Sequence, residues 1–152
     1  MYNTAYRIVG NELDAEDMLQ ESFVNAFKNI KSYKGSASFG SWLKRIVINN
    51  CINLVKRRRI QFESLDNQPD VNTLVDEVKD QNIDYEVQMI KDGIAKLPDG
   101  YRVVISLYLL EGFDHKEIAN ALGITESTSK SQYNRAKKKL REILKKELKY
   151  AG

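Results

Sequence analysis

The sequence is poor in the residues that interrupt helices or cross-link chains. Its 152 residues include two prolines, eight glycines and one cysteine, Cys51. Because proline breaks helix interiors, so few prolines leave long stretches free to be helical. A single cysteine excludes an internal disulfide, and the apolar neighbours of Cys51 indicate a buried residue on a helix.

Several kinds of site are also missing. No apolar run reaches the ~20 residues of a membrane-spanning helix, and the first residues lack the pattern of a signal peptide. The single histidine, His115, has no second histidine or cysteine at ligand spacing, so we expect a solvated residue in the first turn of a helix. The glycines of residues 33–41 lack the spacing of a phosphate-binding loop. We therefore expect a cytoplasmic protein with no metal or other cofactor.

Charge is abundant but separated by sign, although the formal net charge is only +3. Residues 12–27 carry five acidic and no basic side chains, and residues 44–59 carry six basic and no acidic ones. Residues 63–99 carry ten acidic against three basic side chains, and residues 125–152 carry nine basic against three acidic. Two basic segments divided by acidic ones indicate two surfaces for nucleic acid.

Apolar residues recur at helical spacing through most of the chain, and 42% of all residues are hydrophobic. We expect an all-α protein of two small helical domains, residues 1–60 and 82–152, each with its own core. Between them, at 61–81, the helical period fails and acidic residues accumulate, which is typical of a linker. In the second domain, helices are expected at 83–97 and from 101 to Gly112, with Pro98 in a first turn.

The segment 113–139 has the pattern of a helix-turn-helix. Asp114 and Glu117 form a capping box, with Phe113 and Ile118 as a hydrophobic staple. Gly123 permits a sharp turn, and Thr125 caps the next helix. On that helix we expect an inward stripe of Tyr133, Ala136, Leu140, Ile143, Leu144 and Leu148, and an outward set of Ser127, Thr128, Lys130, Ser131, Asn134, Arg135 and Lys138. The outward set has the chemistry of DNA reading, although the same geometry and a solvated charged face also occur in ordinary helical bundles.

The first domain begins with an apolar face at residues 2–9 that resembles the end of a helix, so part of an N-terminal helix is expected to be missing. A second helix is predicted at 14–30, with a staple of Leu13 and Met18. Its expected buried stripe is Met18, Leu19, Phe23, Ala26 and Phe27. Its acidic outer face holds Glu16, Asp17, Gln20 and Glu21, and either solvent or a basic partner could cover that face.

A third helix is predicted to begin at Ser38 and to run through the basic segment ending at Arg59. Phe39 and Trp42 stand at its junction with a loop of small residues. They could be core aromatics, or they could bind an unstacked base beside a cationic track. Both interpretations remain open from the residues alone.

Three motifs in order, DAEDMLQESFVNAFKNI, YKGSASFGSWLKRIVINNC and LPDGYRVVISLYLLEGFDHKEIANALGITESTSKSQYNRAKKKL, resemble bacterial sigma factors of the extracytoplasmic-function (ECF) group. The resemblance implies a transcription initiation factor, not an enzyme, that binds core RNA polymerase and promoter DNA and that an anti-sigma factor can inhibit. It implies a polymerase-binding role for Glu16, Asp17, Gln20 and Glu21. It implies contacts with the minus-ten DNA for Ser36, Phe39, Trp42, Arg45, Asn49, Lys56 and Arg57. It implies reading of the minus-thirty-five element by Ser127, Thr128, Lys130, Ser131, Asn134, Arg135 and Lys138.

The chain departs from the family pattern on the reading helix. Ser129 stands where an apolar residue is usual, Gln132 replaces a common arginine and Tyr133 a common leucine. The promoter sequence that other family members recognise therefore cannot be assigned to this chain. Two rival hypotheses remain. One is a stand-alone helix-turn-helix regulator that binds duplex DNA as a dimer. The other is a module that binds only proteins.

Overall fold

The described residues form two groups of helices, one before residue 59 in the sequence and one after residue 82. The computed structural model describes residues 1–58 and 83–151, and the regular structure in these ranges is helical. The chain divides into two compact units, Met1–Gln61 and Phe62–Gly152. The prediction of an all-α protein with two small domains is confirmed, while the predicted linker at 61–81 lies outside the described residues.

The first unit is a bundle of three helices in which each helix packs against the other two. They are α1 (Tyr2–Val9), α2 (Glu12–Lys28) and α3 (Phe39–Arg57). A short 3-10 turn, Ile30–Ser32, leads into the loop before α3. The helix predicted to begin at Ser38 is α3, and Ser38 caps it, because its Oγ accepts the backbone N–H of Ser41 at 3.2 Å. The core includes Ile8, Val47 and Cys51, all fully buried.

Helix α2 begins two residues earlier than predicted, and Asn11 caps it. The Oδ1 atom of Asn11 accepts the backbone N–H of Asp14 at 2.9 Å, so Asp14 lies within the first turn. Leu13 is 76% exposed, and the predicted staple with Met18 is therefore wrong. Asp14 instead forms an ion pair with Arg58 just beyond the end of α3.

Arg58 ties the three helices of the first unit together. Its Nη1 donates to the backbone oxygen of Val9 at 3.0 Å, while Nη2 pairs with Asp14. This guanidinium therefore has a structural role at the end of the basic segment, where the charge pattern had suggested an outward cation.

The aromatic residues of α2 lie outside the core, contrary to prediction. Phe23 is 44% exposed and Phe27 is 78% exposed. The buried side of α2 consists of Ala15, Met18, Ser22 and Ala26. Because most of these side chains are small, α2 packs closely against its neighbours. Two phenylalanine rings do not fit into that interface. Both stripes have helical spacing, so only packing could choose between them.

The described part of the second unit, residues 83–151, holds four helices, as predicted. They are α4 (Ile83–Ala95), α5 (Asp99–Ile105), α6 (His115–Leu122) and α7 (Glu126–Ala151), and α5 continues as a π-helical turn, Ser106–Leu110. Its core contains Ile94, Leu97, Ile105, Ala136 and Leu140. No helix in ranges 1–58 and 83–151 is both long and apolar enough to cross a membrane.

Two details of the second unit differ from prediction. Pro98 precedes the first turn of α5 and occupies its N-cap position. Leu148 is 58% exposed and does not belong to the inward stripe. The inward side of α7 reaches Glu147, which pairs with Lys96 just after α4, so Leu148 is turned away.

Candidate nucleic-acid interface

Helix α6 begins at the predicted capping box. The backbone N–H of Glu117 donates to Asp114 Oδ1 at 2.7 Å, and the backbone N–H of Asp114 donates to Glu117 Oε1 at 3.3 Å. Phe113 is 5% exposed and Ile118 is fully buried, as a staple requires. The start of α6 is therefore held by polar and apolar contacts together.

A tight turn then carries the chain into α7. Gly123 ends α6 with φ 70°, a left-handed conformation that glycine adopts without steric cost. Thr125 caps α7 as predicted, because its Oγ1 accepts the backbone N–H of Thr128 at 3.0 Å. The helix-turn-helix predicted from the sequence is confirmed in its local geometry.

The outward set of α7 is accessible, but its members are not equivalent. Thr128 belongs to the cap, since its hydroxyl lies 2.8 Å from Thr125 Oγ1. Lys130 Nζ lies 3.7 Å from Glu126 Oε1, an exposed pair of the weak kind that a DNA phosphate can replace. Exposed members are Ser127, Lys130 and Lys138, and half-buried members are Thr128, Ser131, Asn134 and Arg135. Their DNA-reading roles stay predictions.

The side of α7 next to α6 carries a polar and aromatic cluster that the sequence did not reveal. His115 stands in the first turn of α6 as expected, but it is half-buried rather than fully solvated. Its ring stacks on Tyr108 with centroids 4.5 Å apart and meets Tyr133 edge-on at 5.6 Å. Its Nδ1 lies 2.9 Å from Ser129 Oγ, and Ser129 is fully buried. The spacing of Ser129 and Tyr133, four residues apart on one side of the helix, is the signal that could have indicated this cluster.

Several charged groups surround that cluster. Burial lowers the pKa of His115 below its ordinary value, and the positive charge of Lys130 lowers it further. Glu126 and Asp114 act in the opposite direction, and Lys137 makes a smaller lowering contribution. The ammonium of Lys137 also lies 4.7 Å from the centroid of the Tyr133 ring. Neutral histidine is thus favoured between the two tyrosines.

In the first unit, three aromatic rings meet at the start of α3. Tyr33 lies 5.8 Å from Phe39 and 5.3 Å from Trp42, and Phe39 lies 5.7 Å from Trp42 between centroids. Phe39 is 48% exposed, whereas Trp42 and Tyr33 are half-buried. The rings form a surface cluster, which favours the base-binding interpretation over plain core residues. Tyr33, held by its hydroxyl to the backbone oxygen of Ala37 at 2.5 Å, is a member that sequence reasoning missed.

The remaining predicted minus-ten residues are spread along α3. Trp42, Arg45 and Asn49 follow one another at helical spacing, and Ser36 is exposed in the preceding loop. Lys56 and Arg57 lie at the other end of this 19-residue helix, roughly 25 Å from Phe39 at 1.5 Å per residue. The structure therefore separates the aromatic end of the predicted set from its cationic end.

The cationic end forms an open groove of about 360 Å³. Glu21 lines the groove from α2, and Asn50, Asn53, Lys56 and Arg57 line it from α3. Hydrogen bonds to α2 fix the orientation of the Asn50 amide. Its Nδ2 donates to Ser22 Oγ at 2.9 Å, and Ser22 Oγ donates to the Met18 backbone oxygen at 2.5 Å. Glu21, expected to bind polymerase, thus faces the same groove as two residues expected to bind DNA.

The acidic face of α2 is exposed at Glu16, Asp17 and Gln20. The same helix exposes a set of large apolar side chains, Phe23, Val24 and Phe27, with Ile30 just beyond its end. An acidic face next to exposed aromatic residues has the composition of a surface for a protein partner.

The comparisons with known proteins address both units. Residues 1–60 match the family model of sigma-70 region 2, and residues 88–140 match that of sigma-70 region 4. The ECF RNA polymerase sigma factor SigW of Bacillus subtilis is 30% identical over 156 residues, which cover 95% of this chain and 82% of SigW. The chain belongs to the ECF sigma factor family.

A second relative and a solved structure are also sigma factors. SigE of Mycolicibacterium smegmatis is 32% identical over 148 residues, and this chain spans 57% of the length of that relative. The fold resembles that of the sigma factor RpoE from Bartonella quintana, which was solved in complex with the anti-sigma factor NepR. That likeness has a TM-score of 0.55 at 23% identity and covers 95% of this chain and 89% of RpoE. In this sigma factor, the aromatic cluster and the groove fall in the region 2 match, and α6 with the first half of α7 falls in the region 4 match.

Proposed function

We propose that this sigma factor directs core RNA polymerase to specific promoters and opens the DNA there. The observation that carries the proposal is the presence of two different DNA-type surfaces in one ECF chain. One is the exposed aromatic cluster with the cations of α3, and the other is the helix-turn-helix. A regulator that only binds duplex DNA needs the second surface and has no use for the first.

The first unit supplies strand opening in this proposal. Aromatic rings stack on unpaired bases with about 1–3 kcal/mol per base, which offsets part of the cost of separating the strands. Tyr33, Phe39 and Trp42 present such rings, and Arg45 and Asn49 follow them along α3. Lys56 and Arg57 add phosphate contacts, whose contribution falls as salt concentration rises.

The second unit supplies the upstream contact. Lys130, Ser131, Asn134 and Arg135 have donors suited to base edges and phosphates of the minus-thirty-five element. Each contact set alone binds weakly, but both are joined to one polymerase, which raises their effective concentration at correctly spaced elements. The distance between the two elements should therefore matter as much as either sequence.

Polymerase docking is assigned to the exposed face of α2. Glu16, Asp17 and Gln20 supply charge and hydrogen bonds, and Phe23 and Phe27 supply apolar area for the centre of an interface. Core RNA polymerase works in the cytoplasm, so we place the protein there. An anti-sigma factor that covers one of these surfaces is a further partner expected from family membership.

The deciding experiment is run-off transcription with core polymerase on a pool of random templates. We expect specific start sites only when the chain is present. Phe27→Ala should weaken binding to core polymerase, whereas Leu148→Ala should not, although both side chains are large, apolar and more than half exposed. No specific initiation, together with tight dimeric binding to duplex DNA, would replace this proposal by a stand-alone regulator. Binding to core polymerase without any DNA recognition would leave a protein-interaction module.

A further inference from the structure

The cluster around His115 joins three consecutive parts of the second unit. Tyr108 comes from the π-helical turn after α5, His115 from the first turn of α6, and Ser129 and Tyr133 from α7. The rings of Tyr108 and Tyr133 lie 4.4 Å apart between centroids, and each also contacts the His115 ring. Ser129 is fully buried, and His115 is the side chain within hydrogen-bonding distance of its hydroxyl.

This hydrogen bond is part-buried, because the Ser129 hydroxyl is buried and the His115 ring is half-buried, and it constrains the geometry of both side chains. If α7 rotated or slipped by one residue, the Ser129 hydroxyl would move away from His115 and this hydrogen bond would be lost, which is costly for a buried hydroxyl. The position of His115 is itself set by the capping box of Asp114 and Glu117 at the start of α6. The hydrogen bond therefore fixes the orientation of α7 relative to the start of α6.

Ser129 lies next to outward residues of α7 in the sequence. Lys130 and Ser131 follow Ser129 directly, and successive residues of a helix point about 100° apart. Fixing the direction of Ser129 thus fixes the direction of both neighbours. Ser129 and Tyr133 lie four residues apart on one side of α7, and both contact His115.

We propose that His115 and Ser129 are positioning residues whose hydrogen bond sets the rotation of α7 and thereby aligns Lys130, Ser131 and Asn134 with the minus-thirty-five DNA. The inference rests on the proposed function, because it assigns an effect on promoter selection to residues that do not touch DNA. It predicts that loss of the bond lowers discrimination between sequences in a chain that is still folded.

The test uses the full chain with core polymerase and a minus-thirty-five element that the wild type selects from random duplexes. Ser129→Thr and Ser129→Val have the same shape and differ by a hydroxyl, so their difference isolates the bond from crowding. We expect Ser129→Val to reduce the preference for the selected over a scrambled element by roughly two- to tenfold relative to Ser129→Thr, which corresponds to one neutral hydrogen bond. Affinities are compared well below the melting temperature, at which circular dichroism verifies equal helix content.

A second pair of variants keeps the test valid if position 129 does not tolerate a larger side chain. His115→Asn keeps a polar atom near the place of Nδ1, whereas His115→Phe keeps an aromatic ring between the tyrosines and removes that atom. His115→Phe should lose discrimination to the extent that Ser129→Val does, and the double variant should lose no more than either alone, because both remove the same bond.

The outcomes separate the two proposals. Equal discrimination by all folded variants, or equal losses on selected and scrambled DNA, would overturn the positioning role while sigma activity stands. A wild-type protein that selects no element with core polymerase would overturn the proposed function itself.

Discussion

Gly93 allows α4 to lie close against the second half of α7, and replacing it by alanine should destabilise the second unit. A Cβ atom at this position would stand 2.8 Å from Leu140 Cδ1 and 3.3 Å from Leu144 Cδ2. Leu140 is only 7% exposed and packs in the core with Ile94 and Ala136, so it has little room to move away. The substitution therefore forces a tightly packed side chain out of position.

Two opposing contributions decide the size of the effect. Alanine in a helix interior is favoured over glycine by about 1 kcal/mol. Overpacking of a filled core costs about 1–3 kcal/mol. We expect a net loss of about 1 kcal/mol, which for a domain of this size lowers the melting temperature by roughly 4–8 °C.

The measurement is thermal unfolding followed by far-ultraviolet circular dichroism and by fluorescence. Because the only tryptophan, Trp42, lies in the first unit, its fluorescence should be unchanged by Gly93→Ala. Gly40→Ala in α3 is the matched control, since nothing lies within 4 Å of the Cβ it would add, and it should not lower stability. Leu140→Val in the Gly93→Ala background should recover part of the loss. Stabilisation by Gly93→Ala would refute the close approach of α4 and α7.

Three further predictions concern DNA reading, pH and thiol chemistry. Arg135→Ala should lower the binding free energy by roughly 1–3 kcal/mol at one base position of the DNA, whereas Lys138→Ala should weaken binding to all sequences about equally. Equal losses of affinity for cognate and scrambled duplexes would show that Arg135 does not contribute to sequence specificity. Because folding lowers the pKa of His115, the unfolded chain takes up the proton first, so the second unit should lose stability as pH falls below about 6.5. Urea unfolding at about pH 7.5 and about pH 5.5 measures this, and a His115→Phe variant with the same pH dependence would contradict it. Burial raises the pKa of Cys51 to about 12, so iodoacetamide should label it only after the first unit unfolds, and rapid labelling of the native protein would disprove its burial.

Local signals in the sequence predicted local structure well. The capping box at Asp114, the glycine at 123 and the cap at Thr125 all occur as expected, because each depends on residues within one turn of helix. The start of α2 was misplaced for a related reason. Asn11 and Asp14 are both good capping residues, and Asn11 lies directly after the left-handed Gly10 that ends α1.

Burial was predicted less well where a helix carries two possible apolar stripes. On α2 the predicted Met18 and Ala26 are buried, but Phe23 and Phe27 are exposed and Ser22 is buried instead. Side-chain volume at the interface with α3 decides this, and Ser22 adds a hydrogen bond to Asn50. Information of that kind comes from residues 28 positions away in the chain.

The sequence by itself determined the all-α class, the two domains, the helix-turn-helix and the family, because periodicity, capping and motif order are properties of neighbouring residues. Tertiary structure alone decided which aromatic side chains are exposed on the surface. It also placed Glu21 in one groove with Lys56 and Arg57, and it brought His115 within hydrogen-bonding distance of Ser129. The physical reason is that these groups meet across helix interfaces, where distance, volume and desolvation depend on partners remote in the chain.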